Sequence, residues 1–156
     1  MTEQAEPVTQ TEVVAQLEDI EVDAPRVGII MGSKSDMDVM EGAAKVLRDA
    51  DVTCEIRVMS AHREPETVAE YCGNARMRGL RVIIAGAGLS AALPGVAAAH
   101  TDLPVIGVPL SSRLSAMGGL DAILSVLQMP PGVPVAGVGL DNAKNAGHLA
   151  LRILRA

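Results

Sequence analysis

A chain of 156 residues, 49% of them apolar, suits one domain with a substantial core. With a single tyrosine and neither Phe nor Trp, that core must be aliphatic, and a base-stacking nucleic-acid groove is excluded. The net charge of −6 comes from residues 1–25, which hold seven acidic residues and no Lys or Arg; the remaining 12 acidic and 13 basic residues give no basic footprint for nucleic acid.

Residues 1–25 read as a flexible acidic extension, too poor in apolar side chains to bury a core. No apolar leader follows the initiating Met, and no apolar run reaches membrane-spanning length without interruption. The expectation is a soluble, cytoplasmic protein with neither membrane nor nucleic acid as partner. Residues 26–156 form the expected catalytic domain.

From Arg26 onward, short Val/Ile-rich runs alternate with helical periodicity. Val27–Met31 predicts a buried strand. It ends at Gly32-Ser33-Lys34-Ser35-Asp36, where Ser35 or Asp36 is suited to cap a helix through about Asp49. The hydroxyls and helix start in this turn can donate to an anion, and Asp36 can accept from ribose hydroxyls. The segment is not a Walker loop, because GxxxxGK[ST] is absent.

Thr53–Met59 predicts the second strand, followed by Ser60-Ala61-His62-Arg63-Glu64-Pro65. Arg63 offers a planar fork for a phosphate. His62 can give and take a proton within one catalytic cycle near neutral pH. Glu64–Met77 predicts a helix, with Pro65 in its first turn and Gly79 beyond its end. The third strand, Val82–Ala85, is expected to end in a turn at Gly86-Ala87-Gly88, before a small-residue helix over Ser90–His100. Small side chains here would let backbone approach a flat ligand. Beyond it come a strand at Pro104–Val108, a helix at Leu120–Gln128, a strand at Val133–Val138 and a closing helix at Asn142–Leu154.

This alternation means βαβ units and a parallel sheet covered on both faces, an α/β three-layer sandwich. Ligands of such sheets bind beyond the carboxyl ends of the strands, where all three unusual loops fall. Together the loops suit a phosphorylated ribosyl compound with a small planar base. Cys54 and Cys72 read as buried, reduced thiols, and no cluster has metal-ligand spacing. His100 and His148 read as surface or packing residues. From Gly86 to Val135 the only charged side chains are Asp102, Arg113 and Asp121, so helix faces there are expected to be covered by further copies of the chain.

The blocks GSKSD (32–36), SAHREP (60–65), VIIAGAG (82–88), LPG (93–95), LPVIGVPL (103–110) and LDAILSVLQMPPGVPVA (120–136) resemble the PurE family, the N5-carboxyaminoimidazole ribonucleotide mutases, across about Arg26 to Leu154. The resemblance implies a flavodoxin-like fold, a homo-octamer and a step of purine biosynthesis without metal, ATP or organic cofactor. It implies that Ser33, Ser35, Asp36, Ser60 and Arg63 hold phosphate and ribose. His62 would be the general acid/base, with Ala87, Gly88 and Leu93 lining the base pocket. Departures from the family pattern are Ala92, where a histidine is frequent, Glu64, where Thr is common, and the end of the chain at Ala156, where many members carry a further helix. Two alternatives stand beside the mutase: direct carboxylation of aminoimidazole ribonucleotide by carbon dioxide, and a non-catalytic nucleotide-binding module.

Overall fold

The structure, a computed structural model, describes residues 24–156. The acidic extension expected over residues 1–25 therefore lies almost wholly outside the described residues. Five strands, β1 (Val27–Met31), β2 (Cys54–Val58), β3 (Val82–Gly88), β4 (Val105–Leu110) and β5 (Ala136–Gly137), form one sheet in the order β2-β1-β3-β4-β5, every pair parallel. This is the flavodoxin-like order, and its switch point lies between β1 and β3.

The strands alternate their side chains between two apolar layers. Val27, Ile29 and Met31 of β1 face α1 (Met37–Arg48) and α5 (Ala143–Arg155), which bury Met40, Leu47, Ala146 and Ala150 against them. Ile30, Ile83 and Val105 face the opposite layer, made by α2 (Pro65–Asn74), α3 (Leu93–Ala99) and α4 (Leu120–Leu127). The expected three-layer sandwich is thus the architecture found. Small residues set the spacing between α1 and α5: a Cβ on Gly147 would lie 2.9 Å from the Ala43 carbonyl oxygen. No helix among the described residues is long and apolar enough to cross a membrane.

Local boundaries differ from the sequence expectations for identifiable reasons. Asp36, one of the two expected caps, does hold the N-cap position of the α-helix, but its side chain makes no cap bond there; the side-chain cap is made one turn earlier, by Ser33. It starts a 3₁₀ turn (Lys34–Asp36) in a reciprocal capping box with Asp36, and the α-helix begins only at Met37. Gly86-Ala87-Gly88 is not a turn but the last part of β3, paired with Val108, Pro109 and Leu110. The chain reverses instead at Leu89, whose φ of 55° is left-handed, and the helix expected from Ser90 starts at Leu93, with Pro94 in its first turn.

β4 runs on through Pro109, although proline cannot donate to a ladder. Pro109 lies past the end of β5, which reaches only Gly137 opposite Gly107. The strand expected at Val133–Val138 shrinks to two residues, because Pro134 cannot donate and residues 130–133 form a turn.

Candidate active site

The carboxyl ends of β1, β2, β3 and β4 open onto one cavity of about 460 Å³. Gly32, Ser33, Ser35 and Asp36 line it from β1; Ser60, Ala61, His62 and Arg63 line it from β2. Ala87, Gly88, Leu89, Ser90, Ala92 and Leu93 form the wall after β3. Every site residue expected from the sequence therefore meets in a single cavity. A Cβ on Gly88 would lie 2.9 Å from the Leu110 carbonyl oxygen, so glycine lets the ends of β3 and β4 close beneath the ligand space.

The two polar loops are built alike. In the first, the Ser33 backbone N–H donates to Asp36 Oδ2 at 3.2 Å and the Ser35 N–H donates to Ser33 Oγ at 3.3 Å. The Ser33 and Ser35 hydroxyls bond each other at 2.9 Å. Burial raises the Asp36 carboxyl above its ordinary value, opposed by the hydrogen bond from the Ser33 backbone. In the second loop, the Arg63 N–H donates to Ser60 Oγ at 3.2 Å and the Ser60 N–H donates to Glu64 Oε2 at 3.4 Å. Glu64 thus closes a cap around the turn that carries His62. The Arg63 guanidinium donates to the Gly32 carbonyl at 2.7 Å, which ties the two loops together and leaves other N–H groups of its fork unused.

His62 is exposed, and no hydrogen bond from the described residues holds its ring. Among the described residues it is the only imidazole lining the cavity, since Ala92 presents a methyl group there and His100 and His148 are exposed on helical segments elsewhere. No group of three or more His, Cys, Asp or Glu residues among the described residues could hold a metal ion. Cys72 is buried and Cys54 half-buried, both outside the cavity.

The β4 loop, with Ser111, Ser112 and Leu114, also lines the cavity and was missed by the sequence reading. The signal was available. These residues follow an apolar strand directly, the same position that singled out the other three loops.

The family model described as AIR carboxylase matches residues 26–156. The chain is 60% identical over 135 residues to the N5-carboxyaminoimidazole ribonucleotide mutase of Pyrococcus abyssi, covering 86% of this chain and 76% of that protein. It is 56% identical over 130 residues to the mutase of Thermotoga maritima, covering 83% and 75%. The crystal structure of Treponema denticola PurE is similar with a TM-score of 0.73 at 35% identity, over 84% of this chain and 80% of that one. A family match across residues 26–156, which hold the whole described sheet and every loop of the cavity, settles the lineage: the chain belongs to the AIR carboxylase family.

Proposed function

We propose that this chain is a mutase of purine biosynthesis that converts N5-carboxyaminoimidazole ribonucleotide into 4-carboxy-5-aminoimidazole ribonucleotide, with His62 as its proton shuttle. The observation that carries the reading is the convergence of a single imidazole, an arginine fork and paired serine hydroxyls on one cavity. The relatives' shared name supports the substrate.

In this reading Ser33, Ser35, Ser60 and Arg63 hold the phosphate and ribose. Asp36 accepts from a ribose hydroxyl through the oxygen that Ser33 does not occupy. Ala87, Gly88 and Leu93 give the base an apolar wall. Protonated His62 gives its proton to the carbamate nitrogen, and the N–C bond breaks to leave the amine and carbon dioxide. The ring carbon then attacks the trapped carbon dioxide, and its proton returns to the neutral imidazole. One residue serves both transfers and ends as it began. The alkyl wall slows escape of the gas and keeps it near the ring carbon.

The catalytic unit is residues 26–156, acting in the cytoplasm without metal or organic cofactor and assembled from identical subunits, eight by the family resemblance. His62→Asn is expected to lower turnover by about 10²–10⁴-fold while leaving affinity for the product unchanged. Steady-state assays with the carbamate ribonucleotide, and with aminoimidazole ribonucleotide plus bicarbonate, test both the residue and the reaction. Near-normal turnover of the variant would remove His62 from its role. Turnover of the second substrate alone would replace the mutase by a direct carboxylase.

A further inference from the structure

The carboxyl end of β4 is fastened by a device that involves no other loop of the cavity. Asp141 adopts a left-handed φ of 56° between β5 and α5. Its backbone N–H donates to the Pro109 carbonyl at 2.9 Å. Its carboxylate accepts the Ser111 N–H on Oδ1 at 2.8 Å and the Ser111 hydroxyl on Oδ2. A carboxylate only accepts, so the single hydroxyl proton of Ser111 is committed to Asp141. What Ser111 has left is lone pairs. It lines the cavity as an acceptor that cannot donate, with a negative charge directly behind it.

The other side of the cavity offers donors, beside the Asp36 carboxylate that also lines it. Ser33 and Ser35 hydroxyls bonded to each other consume one proton between them, so one O–H of the pair stays free to donate. The unused N–H groups of Arg63 lie in the neighbouring loop. β1 and β4 flank β3 in the sheet, so these ends are about 10 Å apart at 4.7–4.9 Å per strand. A phosphate finds hydroxyl and guanidinium donors at the first end and no donor at Ser111 Oγ. A planar base reaching toward β4 meets an acceptor.

We propose that Ser111 Oγ accepts a hydrogen bond from an N–H group on the ligand's base, and that Asp141 is the positioning residue that makes it an acceptor. For the ribonucleotide proposed above, on which this inference rests, that group is the exocyclic amine. The pair would then fix which way round the ligand lies and select bases that carry an amine at this place.

The test measures binding of three probes by calorimetry: ribose 5-phosphate, imidazole ribonucleotide without the amine, and 5-aminoimidazole ribonucleotide. The unsubstituted chain is expected to favour the amine-bearing probe over its amine-free counterpart by about three- to tenfold, the range of one neutral hydrogen bond. Ser111→Ala should abolish that preference and leave ribose 5-phosphate unaffected. Asp141→Asn should reduce it, because an amide can donate to Ser111, occupy one of its lone pairs and free the hydroxyl proton. Equal weakening of all three probes would mean a structural role only, and an unaltered preference in Ser111→Ala would overturn the inference by itself. If the unsubstituted chain binds ribose 5-phosphate but neither ribonucleotide, the proposed substrate falls, and this inference with it.

Discussion

His62 owes its position to the hydrogen bonds of the turn that carries it. The turn it occupies is capped from both sides, by Ser60 Oγ on the Arg63 N–H and by Glu64 on the Ser60 N–H. The imidazole is left unencumbered on a hydrogen-bonded turn, the arrangement that a group exchanging protons with a substrate needs. The cysteines are the reverse case. Burial pushes the Cys72 thiol up to about 11, and burial also raises Cys54, opposed by the nearby Arg48. A thiol is nucleophilic only as its thiolate. At neutral pH iodoacetamide should therefore label neither cysteine in the folded protein and both in denaturant, with labelling of Cys72 rising only as the pH approaches 11. Rapid labelling of either at neutral pH would contradict the burial described here.

At the scale of elements, small side chains decide how closely the layers approach. Gly147→Ala sets two effects against each other. Alanine in place of a helical glycine gains about 1 kcal/mol in propensity. The added Cβ, however, would lie 2.9 Å from the Ala43 backbone oxygen and 3.0 Å from Val46 Cβ, and overpacking of this kind costs about 1–3 kcal/mol. Backbone cannot rotate aside as a side chain can, so the variant should unfold at lower denaturant concentration than the parent. An unchanged or raised midpoint would show that α1 and α5 have room to slide.

Elements that bury a continuous aliphatic run were legible in the sequence, as β1 and the interior of β3 were, and so were helices with capping or Pro signals. Three of the four site loops followed from the rule about strand ends. What sequence patterns could not give were features decided by distant partners. Gly86-Ala87-Gly88 looks like a turn until β4 pairs with it. Pro109 looks like a strand terminator unless β5 is known to stop short of it. The acceptor character of Ser111 depends on a residue 30 positions further on.

Across the whole molecule, several large apolar side chains are left on the surface. Met117 is 84% exposed, Leu114 78% and Leu127 54%, and Leu114 itself lines the cavity. Water is a poor neighbour for apolar side chains this exposed, and copies of the chain are a suitable cover. Light scattering of the purified protein at micromolar concentration should give a mass well above one chain, and Leu114→Lys with Met117→Lys should shift it toward the monomer. A fully active monomer would sink the assembly. The Asp141 latch also bears on the order of events as the protein is made. The residues that supply the proposed proton shuttle and phosphate grip are all complete by residue 63, yet the mouth after β4 is not held until Asp141 docks on Pro109 and Ser111. A growing chain can lay down its first four strands before this fastening exists, and the bonds to Pro109 and Ser111 form only once residue 141 has emerged.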